Sequence, residues 1–119
     1  MLPMTAADPT EVATIRHVVH IRVDPSLDGD LRNSMETDLR HLVHEHPHAV
    51  RATLHGDLGR RPAAPVSATW MVCLDFVSMT DFEAYLASPV HRHFLQTHQP
   101  SMAYISAIQV PMEGFADAW

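Results

Sequence analysis

The chain has 119 residues, 46% of them hydrophobic and 18% charged, with a formal net charge of −6; that length suits one domain with one hydrophobic core. Lys is absent and no Lys/Arg run occurs, which argues against a nucleic-acid partner, since phosphate binding needs clustered cations. No apolar run reaches the ~18 residues of a membrane span.

The first residues lack the basic-then-apolar pattern of a signal peptide. The single cysteine, Cys73, has no intrachain partner and sits in a strand-like apolar stretch, so a small buried hydrophobe in a cytoplasmic protein is expected. The low charge content predicts that a partner covers part of the surface. Ten His residues would move the net charge toward zero if protonated near pH 6.

Residues 1–13 carry Pro3, Pro9 and small residues without a period, and are expected to form a loose arm. Thr14–Val23 alternates as a strand: Ile15, His17, Val19, Ile21 and Val23 share one face, and Arg16, Val18, His20 and Arg22 the other. Asp24-Pro25-Ser26 makes a turn. Leu27–His46 has helical spacing, with Leu31, Met35, Leu39, Leu42, Val43 and His46 on one stripe. Asp28 and Asp30 suit its positive end, and Pro47 stops it.

Ala49–Leu58 predicts a second strand, and residues 59–67 a loop rich in Pro and Arg. Ala68–Phe76 is the clearest strand. Trp70, Val72, Leu74 and Phe76 oppose Thr69, Met71, Cys73 and Asp75; both faces are mostly apolar, which predicts a central position. Thr80 with Glu83 forms a capping box for a helix whose inner face is Phe82, Tyr85 and Leu86. Ser88-Pro89 breaks that helix and starts another through His91, Phe94 and Leu95, ending before Pro100. Tyr104–Val110 is the last strand, and residues 111–119 form an aperiodic tail.

The order β-α-β-β-α-β defines an α+β, ferredoxin-like domain over residues 14–110. Four strands with two helices on one face leave the other bare, with Val18, Met71, Cys73, Tyr104, Ser106 and Ile108 on it. Such a face is expected to be covered by a second copy, sheet against sheet, making the chain its own partner.

The first strand (Ile15 to Val23, with its early His17) and the run from Phe76 to Phe94 resemble the stress-responsive dimeric A/B barrel (Dabb) family. The family pattern has an aromatic-acidic-small-Tyr-Leu run leading into His-Pro-x-His-x-x-Phe. Pro89, His91 and Phe94 match, while Ser88 replaces the first His. The resemblance implies a homodimeric α/β barrel. It is similar, more narrowly, to polyketide cyclases of the olivetolic acid cyclase type, which close a linear chain by an aldol step. That resemblance implies Tyr85 as proton donor, His91 as base and His17 as a pocket residue. Trp70 and Leu39 replace a pocket His and a helix Tyr of that pattern, which implies a pocket of different shape and polarity.

A pocket between helices and sheet would be lined by His17, Val19, Trp70, Val72 and Leu74 from the strands, and by Leu39, Phe82, Tyr85, His91 and Phe94 from the helices. Mostly apolar walls with a few converging polar groups suit a small hydrophobic ligand. An aldol closure needs a base beside a carbonyl and a donor for the developing oxyanion; an imidazole and a phenol supply these without a cofactor. Other readings stand beside it. His17 and Tyr85 also suit hydrogen-bonded core positions. The whole also suits a non-catalytic stress-response or ligand-binding dimer, or a cofactor-free monooxygenase or haem-handling protein. His41, His44, His46 and His48 gather at a helix end without HExxH spacing, so no metal is expected.

Overall fold

The computed structural model describes residues 12–60 and 68–113. The expected arm (all but its last two residues), most of the 59–67 loop and the tail beyond Glu113 lie outside the described residues. Chain order is β1 (Ile15–Arg22), α1 (Gly29–Glu45), β2 (Arg51–Gly56), β3 (Trp70–Phe76), α2 (Met79–Leu86), α3 (Pro89–His98), a 3-10 turn (Gln99–Ser101) and β4 (Tyr104–Pro111). The strands form one antiparallel sheet in the order β2-β3-β1-β4. This is the ferredoxin-like α+β fold, with β3 and β1 central as the two apolar faces of β3 required.

Directly paired residues share a face, so the register fixes which side chains meet the helices. His17 pairs with Leu74 and Gln109, and Val19 with Val72 and Ala107. Ile21, Leu74 and Phe76 from the sheet and Met35 and Leu39 from α1 are the largest fully buried side chains. The opposite face carries Val18, Met71 and Cys73, half-buried, and the exposed Tyr104 and Ile108.

Several boundaries differ from the sequence reading, each for a local reason. α1 starts at Gly29, because the Leu27 N–H donates to the Asp24 carbonyl in a turn and the Asp28 carboxylate caps the Asp30 N–H at 2.7 Å. Leu31 therefore lies in the first turn and is half exposed; the buried stripe begins at Met35. α2 is capped by Ser78, not Thr80: Ser78 is still extended after β3, and its hydroxyl accepts from the Asp81 N–H. Thr80 falls inside the helix. The last strand runs on through Pro111, and the Met112 N–H donates to the Thr14 carbonyl.

On the open face, Asp75 is nearly inaccessible and accepts from Arg16 Nε at 2.8 Å and Arg51 Nε at 2.9 Å. Burial opposes the Asp75 charge, but the two guanidiniums outweigh it and hold the carboxyl below its ordinary value of 3.8. Asp75→Asn is expected to cost about 2 kcal/mol at pH 7, the worth of charge-assisted hydrogen bonds with half-exposed partners. A depressed folded-state value means the stabilisation is complete above the ordinary Asp range and disappears on acidification. The stability gap between wild type and variant should therefore close below pH 3.8 in urea titrations.

Candidate active site

The site is built at the joint between α2 and α3. Ser88 caps α3 with Pro89 in its first turn. The Ser88 hydroxyl donates to the Tyr85 carbonyl at 2.6 Å and accepts from the His91 N–H at 3.4 Å. Tyr85 in the last turn of α2 and His91 in the first turn of α3 are thereby brought together, their ring centroids 4.7 Å apart at 55°. His17 reaches the same place from β1, because the odd residues of that strand face the helices; its ring lies 6.0 Å from that of Tyr85.

Hydrogen bonds assign the protons. His91 Nδ1 lies 3.0 Å from the Leu86 carbonyl, which can only accept. Nδ1 therefore carries the proton, and Nε2 presents a free lone pair. The backbone, rather than His17, fixes this tautomer. Burial lowers the His91 pKa below 6.5, and the Leu86 carbonyl acts in the opposite direction. The Gln109 side-chain amide donates to His17 Nδ1 at 2.8 Å, leaving the His17 proton on Nε2. Burial, helped by the neighbouring His91, pushes His17 down to about 4, so it is neutral at pH 7. Burial pushes the Tyr85 phenol up, so it stays protonated.

Every fully enclosed side-chain oxygen or nitrogen among the described residues has a hydrogen-bond partner. Within those residues neither the Tyr85 hydroxyl nor His17 Nε2 makes such a bond. Both residues line one cavity.

That cavity has a volume of about 240 Å³. His17, Val19, Ile21 and Val72 form its floor with Ile105 and Ala107 of β4; Leu39 and Leu42 form one wall; Tyr85, Leu86, His91, Phe94 and Leu95 form the roof. Of the residues expected to line a pocket, His17, Val19, Leu39, Val72, Tyr85, His91 and Phe94 do so. Trp70, Leu74 and Phe82 do not. Trp70 is engaged elsewhere, its indole N–H donating to Glu36 and its ring under Arg32. Leu74 is sealed in the core. Phe82 packs behind His17, ring centroids 4.9 Å apart.

The β4 contribution was missed in the sequence. The alternation of Ile105, Ala107 and Gln109 carries the signal, since these must lie on the face opposite Tyr104, Ser106 and Ile108. His98 was also unremarked. It is buried and contacts Asp38 at 2.6 Å, tying the end of α3 to α1. His41 at the end of α1 lies 3.9 Å from Glu45, and no group of three or more His, Cys, Asp or Glu able to hold a metal occurs among the described residues. Among them, too, no helix is long and apolar enough to cross a membrane.

No family model and no curated protein matches the sequence. Solved structures share its fold, among them dimeric ferredoxin-like proteins. One is a dimeric ferredoxin-like protein of unknown function from Thermobifida fusca, 26% identical, TM-score 0.70, covering 84% of this chain and 92% of its own. A second is the hydroxynitrile lyase from Passiflora edulis, 21% identical, TM-score 0.69, covering 84% and 94%. A third is a Dabb family protein from Mesorhizobium loti, 12% identical, TM-score 0.67, covering 83% and 96%.

Proposed function

We propose that this chain is a cofactor-independent enzyme that makes or breaks a carbon–carbon bond beside a carbonyl, in the manner of an aldol-type polyketide cyclase. The observation that carries the proposal is the placement of the His91 ring, with its Nε2 unprotonated, against the Tyr85 ring, centroids 4.7 Å apart, in a mostly apolar cavity. His91 takes a proton from the carbon next to a substrate carbonyl, and the electron pair moves onto the carbonyl oxygen. The Tyr85 hydroxyl and His17 Nε2–H donate to that oxygen as its charge develops. The resulting enolate attacks a second carbonyl of the same molecule, and the new alkoxide recovers the proton from His91. Run backward, the same groups cleave a bond beside a hydroxylated carbon, the type of reaction the name of the Passiflora neighbour describes.

The protein works in the cytoplasm, and as a homodimer through the open face of the sheet; the apolar side chains there and the dimeric neighbours support the dimer.

A panel of linear dicarbonyl compounds and aromatic hydroxynitriles, followed by mass spectrometry, tests the activity. Turnover of at least one is expected, and Tyr85→Phe should lower kcat about 10²-fold, as loss of an oxyanion donor does. A folded protein that turns over none of them, or a Tyr85→Phe variant with full kcat, defeats the proposal.

A further inference from the structure

We propose that the cavity admits only uncharged ligands, so that the substrate is a neutral carbonyl compound whose bound part is about the size of a substituted benzene ring, with carboxylates and phosphates turned away. This deepens the enzymatic reading above and rests on it for the word substrate; the selectivity itself rests on the cavity walls.

Among the described residues, no Arg, Lys, Asp or Glu lines the cavity. Its polar side chains, among the described residues, are three: His17, with its proton on Nε2, the protonated Tyr85 phenol, and His91, with an unprotonated Nε2. Together they match a ligand with a carbonyl oxygen and an acidic C–H or O–H, and they hold no countercharge. Three of the arginines of this Lys-free chain are engaged elsewhere. Arg16 and Arg51 lie on the opposite face of the sheet, bound to Asp75, and Arg32 covers Trp70. Burial keeps both cavity imidazoles from serving as cations at neutral pH. An anion entering such a space loses its hydration shell and meets only neutral donors, which penalises it against a neutral ligand of the same shape. The volume of about 240 Å³ equals that of roughly eight waters at ~30 Å³ each. That is room for one ring and a small substituent.

Benzamide and benzoate have nearly the same shape and differ in charge. Isothermal titration calorimetry of the full-length protein at pH 7.5 should show benzamide binding, with benzoate at least about 100-fold weaker, as the lost hydration implies. Leu86 is 38% exposed at the rim of the cavity. Leu86→Arg should shift the ratio of benzoate to benzamide affinity about tenfold or more toward benzoate, the worth of one charge-assisted contact.

Equal or tighter binding of benzoate to the wild type overturns the proposal. So does failure of folded wild type to bind either probe, because the cavity would then refuse even the neutral ring. These titrations need no turnover. A protein that takes benzamide, refuses benzoate and converts no carbonyl compound keeps the selectivity and loses the enzymatic reading. One that catalyses while binding both probes alike does the reverse.

Discussion

Replacing Phe76 by Ala should destabilise the fold by about 3–5 kcal/mol, the usual cost of emptying an aromatic site in a core. Phe76 is completely buried at the end of β3. Its ring meets Phe82 edge-on, centroids 5.6 Å apart at 71°, and lies 5.5 Å from Tyr85. The hole left by Ala would open directly beneath the helix that carries the phenol, and neither neighbour can move in without leaving its own contacts. For a domain whose whole stability is about 5–15 kcal/mol, the loss is about a fifth or more. Urea unfolding followed by circular dichroism, at one fixed protein concentration so that subunit association cancels, measures it. Phe76→Leu, which keeps most of the volume, should lose about 1.5 kcal/mol or less. If Phe76→Ala unfolds at the wild-type midpoint, the packing described here is wrong.

His91→Ala should lower kcat by about 10²–10⁴-fold while leaving the melting curve nearly unchanged, because the half-buried ring contributes a proton acceptor and only one hydrogen bond to the backbone. The pH profile gives a second signature. The acting form is the neutral imidazole, so the rate falls as acid protonates it and is level above its pKa. Burial lowers that pKa below 6.5. The level region should therefore extend to more acidic pH than a free imidazole allows, and the acid limb should be absent from the residual activity of His91→Ala. Undiminished turnover in the variant would remove His91 from the mechanism.

Alternation in the strands and the Ser-Pro break were legible in the sequence, and from them came the topology, the helical face of β1 and the proximity of Tyr85 to His91. Helix ends were less so. Ser78 and Thr80 both offer a hydroxyl at a plausible start, and only the extended backbone leaving β3 decides between them. The walls of the cavity were half legible. Periodicity tells that Trp70, Val72 and Leu74 share a face, but not which of them the helices cover. Val72 lines the cavity, whereas Leu74 is sealed and Trp70 is held by Glu36. Gln109 was invisible for a related reason. Its partner, His17, lies on the neighbouring strand of the sheet and far away in sequence, and only the register places them side by side.

One oxygen atom, the Ser88 Oγ, bonds to the backbone of both residues that would carry the chemistry. The two backbones are thus stapled to each other within the short stretch from 85 to 91, while the Tyr85 ring takes its place from its packing on Phe76. Substitutions along α1 or β4 that enlarge, narrow or tilt the chamber leave that staple untouched. The anchorage of the pair and the shape of the chamber can drift independently.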